Sequence, residues 1–228
     1  MGYRRAMRCL PLLLIVAACA TTAPQATQPN AAAQAVASDS VARRRLADLA
    51  VVAPGILREV RYSTANNFTG APLPGYGRPV VLLRREAAEA LARVQARLAA
   101  QGLGLKVWDG YRPVRATEAM VAWCERVGRT DLLDNGYIAR RSRHNQGVAV
   151  DLTIVELASG REFDMGTAFD DFSDRSHTAN ATGEVATRRR LLVEAMEAEG
   201  FVNYVSEWWH FSFAVPDAVP FDLPLERW

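Results

Sequence analysis

Cysteine is scarce in this 228-residue chain, with three in all. Cys9 and Cys19 fall in the N-terminal stretch, so Cys124 is the one thiol beyond it and an intrachain disulfide is excluded there. Cys124 sits in an apolar helical pattern, which fits a small core residue rather than a nucleophile. The N-terminal apolar run stops short of the ~20 residues that a membrane-spanning helix needs. No glycine-rich phosphate loop and no internal repeat is present. Basic excess is missing as well: without Arg4, Arg5 and Arg8, 24 of the 27 basic residues face 25 acids. A nucleic-acid partner, which wants a basic domain, is therefore not expected. Histidine is as rare as cysteine, and two of the three, His144 and His210, stand in the stretches that carry the chemistry.

The N-terminus reads as an address. Met1 to Arg8 is basic and Leu10 to Ala18 is apolar but short, the pattern of a secretory signal over residues 1–18. Val16-Ala17-Ala18-Cys19 resembles the bacterial lipobox, in which the cysteine is lipidated and becomes the new N-terminus. An ordinary cleaved signal is the alternative. Residues 19–45 are read as that lipidated end and a flexible tether, because Thr21 to Ser40 has almost no charge and few large side chains and cannot offset its ordering entropy. Ala20 stands where an Asp would signal inner-membrane retention. The expectation is an exported lipoprotein anchored through Cys19 on the periplasmic face of the outer membrane, with a soluble periplasmic protein as the alternative.

Residues 46–228 are long enough for one buried domain. Ile56 to Tyr62 alternates as a short strand or extended entry segment, and Asn66 to Pro72 is turn chemistry. Ala87, Leu91, Val94 and Leu98 recur at spacings of three and four and predict an amphipathic helix over Arg84 to Ala100. Leu103 to Trp108 reads as a strand, Asp109 to Pro113 as a turn, and Val114 to Val127 as a helix stopped by Gly128. After a polar, Arg-rich loop, Val148 to Val155 is apolar on both faces, as a central strand would be. Glu156 to Glu184 is irregular, and loops of that length in compact domains are usually functional or disordered. Thr187 is read as the cap of a third helix running to Glu199, and Phe201 to Ala214 as two short strands around Ser206. Helices and strands alternate without a βαβ rhythm. The fold class expected is α+β, a single domain with a central antiparallel sheet flanked by helices.

Two stretches carry the chemistry. A catalytic zinc takes three protein ligands and keeps one open position. His144 and Asp151 lie seven residues apart across Gly147, where a loop bends into the apolar strand, and His210 supplies a third donor. Glu207 and His210 are three apart, which on a regular strand places them on opposite faces. A bulge or the start of the strand must bring them to one side. A solvated loop histidine and a hydrogen-bonded core histidine are the plain alternatives. Against them stands the aromatic run around Glu207 and His210, where buried charge is costly unless a metal or partner compensates.

Ser142-x-His144-x6-Asp151, Glu207-x-Trp209-His210 and Trp108-Asp-Gly-Tyr-Arg112-Pro113 together resemble the D-alanyl-D-alanine dipeptidases of the VanX type, zinc D,D-peptidases with a hedgehog-like fold. Val60-Arg-Tyr62 through Gly70 and Asp164-Met-Gly-Thr-Ala-Phe-Asp170 match as well, so the resemblance runs from about Val51 to Phe213. It implies one zinc per chain on His144, Asp151 and His210, with zinc-bound water as nucleophile. It also implies Glu207 as general base and acid, and Arg112 as stabiliser of the tetrahedral intermediate; for Arg112 a local pairing with Asp109 is the alternative. Ser142, Asp170 and Tyr62 match substrate contacts, and Asp170 suits a free ammonium group. His177 has no ligand role by this argument and is expected in a loop hydrogen bond. The reaction implied is hydrolysis of a small dipeptide to free D-alanine. Familiar members that blunt glycopeptide antibiotics act in the cytoplasm, so the exported address favours turnover of wall-derived dipeptides. A zinc D,D-carboxypeptidase or endopeptidase on peptidoglycan stems, and a non-catalytic wall-peptide-binding lipoprotein, are the competing readings. Oligomeric state is left open.

Overall fold

The computed structural model describes residues 1–2 and 35–228, so the signal and Cys19 readings lie outside the described residues. Within residues 34–228 the chain folds as one unit. It begins with helix α1 (Asp39–Arg45), strand β1 (Leu46–Asp48) and the single-turn helix α2 (Leu49–Val52). Ala42 of α1 is fully buried, so the ordered domain reaches into the stretch read as tether. A two-residue strand β2 (Leu57–Arg58) and strand β3 (Leu82–Arg84) bracket the loop of residues 59–81. Helix α3 (Arg85–Ala99) follows at once and buries Ala87, Leu91, Val94 and Leu98, the face its periodicity predicts. Each of its larger apolar side chains contributes about 1.5–3 kcal/mol by leaving water.

Strand β4 (Leu103–Asp109) leads through Gly110 to Pro113 into helix α4 (Val114–Val127), which Gly128 ends in a left-handed conformation. Cys124 is buried in α4. A short helix α5 (Asp131–Asp134) breaks the Arg-rich loop before strand β5 (Ala149–Glu156). Helix α6 (Gly183–Glu197) and strands β6 (Phe201–Asn203) and β7 (His210–Phe213) complete the fold.

Five strands form the main sheet in the order β2-β4-β5-β7-β6, and β1 pairs with β3 in a small second sheet. The α+β expectation stands, with one correction: β2 runs parallel to β4, while the other pairs are antiparallel. Burial of seven of the eight residues of β5 explains why it carries no polar alternation. The register shifts between Val107 and Asp109, where an irregularity re-aims β4. As a result Asp109, Asp151 and His210 lie side by side on three neighbouring strands.

Helix α6 starts at Gly183, four residues before the expected cap, and Thr187 lies inside it with its hydroxyl on the Gly183 carbonyl. Tertiary contact accounts for the extension. A Cβ on Gly166 would sit 2.8 Å from Val185 Cγ1, and buried Arg189 donates to the carbonyls of Met165, Arg175 and His177. These bonds tie the long loop to the first turns of the helix. Among the described residues, no helix is long and apolar enough to cross a membrane.

Candidate active site

His144 is placed by a single 3-10 turn, Arg143–Gln146, that Ser142 caps. Ser142 Oγ accepts from the His144 amide at 3.2 Å, and Asn145 Oδ1 accepts from the Ser142 amide at 3.2 Å. Asn145 Nδ2 donates to the Arg112 carbonyl and to Thr117 Oγ1, both at 2.9 Å, which fastens this turn to the start of α4. Gly147 closes it at φ 69°, where a Cβ would lie 2.5 Å from Leu46 Cδ2; only glycine fits. The His144 ring is then fixed by its Nδ1, 2.6 Å from the Gly110 carbonyl oxygen, an acceptor that requires Nδ1 to carry the proton. Nε2 is left with a bare lone pair.

That nitrogen faces two other atoms of ligating type. His144 Nε2 lies 3.2 Å from His210 Nδ1 and 3.3 Å from Asp151 Oδ2, and His210 Nδ1 lies 2.9 Å from Asp151 Oδ1. The three side chains are the group of metal-ligating type among the described residues whose donor atoms converge. Ligands held ~2.0–2.1 Å from a tetrahedral zinc stand about 3.3 Å apart, close to this spacing. Two imidazole acceptors facing each other beside a carboxylate repel unless a cation or proton lies among them, so the donor set fits the metal. Burial opposes ionisation of Asp151, yet the two imidazoles hold its carboxyl well below the usual range. Burial holds His210 below the ordinary imidazole value against the pull of Asp151, which favours the neutral, ligating form.

Glu207 reaches the same point because it is not on a strand. The chain turns between Tyr204 and Trp209, with the Glu207 amide on the Tyr204 carbonyl at 2.9 Å and the His210 amide on the Glu207 carbonyl at 3.2 Å. Of the two geometries that could unite residues three apart, the turn at the start of β7 is the one found. Burial, then the charges of Asp151 and Asp170, raises the Glu207 carboxyl well above the ordinary carboxylate range, opposed by Arg112. A buried carboxyl with raised proton affinity is suited to taking and returning a proton.

Arg112 lines the cavity and makes the local pairing with Asp109 that is its alternative reading. Its Nε and Nη2 donate to Asp109 Oδ2 at 3.0 and 2.8 Å, and its Cζ lies 5.1 Å from the Tyr62 ring centroid. Burial works against its charge, but Asp109 and the neighbouring groups keep it protonated. Opposite, Tyr62 Oη donates to the two Asp170 oxygens at 3.0 and 3.2 Å. Asp170 has φ 62°, the one non-glycine with positive φ among the described residues, a strained backbone held by the loop around it. Burial, then Asp151, pushes the Asp170 carboxyl up to about 8.

Tyr62, Arg112, Ser142, His144, Asp151, Asp170, Glu207 and His210 all line one cavity of about 240 Å³. Tyr137 and Phe172 form an aromatic wall of the same cavity that the sequence does not announce, since nothing in their neighbourhood distinguishes them from core aromatics. His177 holds that wall from outside, its Nε2 3.1 Å from Tyr137 Oη. Asp109, read only as a partner of Arg112, also lies 3.4 Å from His144 Nδ1.

A family model described as D-Ala-D-Ala dipeptidase matches residues 42–222. The chain is 38% identical over 173 residues to a D-alanyl-D-alanine dipeptidase of Enterococcus faecium, covering 69% of this chain and 85% of that one. It is 35% identical over 189 residues to a protein of that name from Streptomyces coelicolor, covering 75% and 93% of the two chains. A third, from Escherichia coli strain K12, is 36% identical over 183 residues, covering 78% and 88%.

Proposed function

The chain belongs to the D-Ala-D-Ala dipeptidase family, and from that premise we propose that it hydrolyses free D-Ala-D-Ala to two molecules of D-alanine in a zinc-dependent reaction. The observation that carries the reading is the convergence of His144, Asp151 and His210 on one point, with Glu207 and Arg112 at its edge in the same cavity. When bound there, zinc would supply positive charge for the scissile carbonyl and lower the pKa of a coordinated water toward ~7. Glu207 takes the proton of the attacking water and returns it to the leaving amine, so water is consumed and no other co-reactant is needed. Arg112, held by Asp109, directs positive charge at the carbonyl oxygen as it becomes anionic, an effect of about 3–4 kcal/mol where such donors have been removed. Asp170, with Tyr62 beside it, takes the free ammonium of the substrate, and Ser142 contacts the peptide at the opposite wall.

The half-buried Asp170 favours the dipeptidase over a carboxypeptidase acting on stem peptides, whose acylated nitrogen would bring that carboxylate no positive charge. Glu207 favours an enzyme over a wall-peptide-binding module, which has no use for a base beside a metal. The lipobox-like stretch Val16 to Cys19 supports a lipoprotein at the periplasmic face of the outer membrane that turns over wall-derived dipeptides; incorporation of labelled palmitate that Cys19→Ala abolishes would test this. The activity itself is tested by release of D-alanine from D-Ala-D-Ala, lost on chelation and restored by zinc. Absence of release from the zinc-loaded protein would overturn the reading.

A further inference from the structure

Arg112 is aimed by a chain of contacts that begins 36 residues earlier in the sequence. Each oxygen of the buried Asp109 carboxylate has its own donors. Oδ2 accepts from Arg112 Nε and Nη2, while Oδ1 accepts from Tyr76 Oη at 2.6 Å and from the Gly110 amide at 3.0 Å. Both Arg112 donors meet on the one oxygen Oδ2, so the rotation of the Asp109 carboxylate, which decides where Oδ2 sits, decides where that edge of the guanidinium is anchored. The Gly110 amide belongs to the backbone that carries Asp109, whereas Tyr76 comes from a separate loop and ties the carboxylate to it.

That loop is itself pinned. The Leu225 amide donates to the Gly75 carbonyl at 2.8 Å, and the Gly77 amide donates to Glu226 Oε2 at 3.1 Å. Gly75 has φ 87°, and a Cβ there would stand 3.0 Å from Pro113 Cγ, beside Arg112 itself. The Tyr76 ring meets the Tyr62 ring edge-on, with centroids 5.8 Å apart, and Tyr62 lies in turn against the Arg112 guanidinium. Tyr76 is buried and is not among the residues that line the cavity.

We propose that Tyr76 is a positioning residue for the reaction: its hydroxyl fixes the rotation of the Asp109 carboxylate and, through it, the direction in which Arg112 presents its charge to the substrate carbonyl. The inference rests on the role given above to Arg112. Tyr76→Phe keeps the ring packing and removes only the hydroxyl. Zinc content and KM should stay near wild type, because the ligands and the Asp170 contact are untouched, while kcat falls about tenfold, the scale of a hydrogen bond to a charged group. In an Arg112→Ala background the same change should cost nothing more, since the group it aims is gone. A purely structural role would lower the melting temperature and leave kcat per folded molecule unchanged in both backgrounds. Equal losses in the two backgrounds, or none in either, would overturn the link from Tyr76 to Arg112. An Arg112→Ala protein as fast as wild type would instead overturn the role of Arg112, and the inference with it.

Discussion

The Glu207 carboxylate lies 3.8 Å from His210 Nδ1, although the two residues stand three apart at the start of a strand. The turn before β7 makes this possible, and it puts a carboxyl at the edge of the donor set without making it a member. Replacing Glu207 by Gln should therefore leave zinc content and fold intact and lower turnover by ~10²–10⁴-fold, the range of a general base. Metal analysis and steady-state rates on the same preparation check both halves. A Gln variant with near-normal turnover would remove Glu207 from the mechanism.

The donor set itself makes a separate prediction. Purified wild-type protein should carry one zinc per chain, and zinc should raise its melting temperature, because a ligand that binds only the folded state stabilises it by mass action. His210→Ala removes one of three donors and should abolish both the stoichiometric zinc and the zinc-dependent rise. If zinc content and melting temperature were the same in wild type and variant, the metal would lie elsewhere.

How much of this was legible in the sequence depended on how local each feature is. The candidate ligands were readable because histidines are few and His144 and Asp151 sit where a glycine turn meets an apolar strand, and α3 was readable from Ala87, Leu91, Val94 and Leu98. The three-residue strands Leu46–Asp48 and Leu82–Arg84 are too short to show alternation, and their pairing brings together segments far apart in the chain. The parallel edge strand Leu57–Arg58 is defined by its partner, not by its own residues. The early start of α6 comes from the Arg189 bonds to the loop, which no capping rule encodes. Asp109 illustrates the limit most directly: a pairing with Arg112 could be foreseen from their spacing, but its contact with Tyr76 could not.

The Asp170 carboxyl gives a pH prediction whose sign can be worked out. Its folded value of about 8 lies above the ~3.9 of an unfolded chain. Between these values the folded protein holds a proton that the unfolded chain releases, so the stability this group contributes is full below ~4 and is lost as pH rises through about 8. Part of the residue reaches solvent, so the direction, not a magnitude, is the expectation. Melting temperatures of the metal-free protein should show Asp170→Asn gaining on wild type as pH rises, with the gap levelling off once the wild-type carboxyl is ionised. Parallel curves for the two proteins would mean that the carboxyl is not perturbed.

The same carboxylate sets the expected substrate length. A substrate with a free ammonium brings Asp170 a direct positive partner; among the described residues its hydrogen bonds come from the Tyr62 hydroxyl, with Arg112 acting on it through charge alone. Acylating that nitrogen removes a charge-assisted contact to a half-buried carboxyl, a loss of ~1–3 kcal/mol. Since about 1.4 kcal/mol is a factor of ten, N-acetyl-D-Ala-D-Ala and stem pentapeptides should be cleaved roughly tenfold or more slowly than free D-Ala-D-Ala in kcat/KM. Asp170→Ala should narrow that gap, chiefly by losing activity on the free dipeptide, because the blocked substrates never made the contact. Equal cleavage of free and blocked substrates by the wild-type protein would sink the dipeptidase reading and favour a carboxypeptidase on the same fold. A gap that persists in Asp170→Ala would place the length selection on the Tyr137 and Phe172 wall instead.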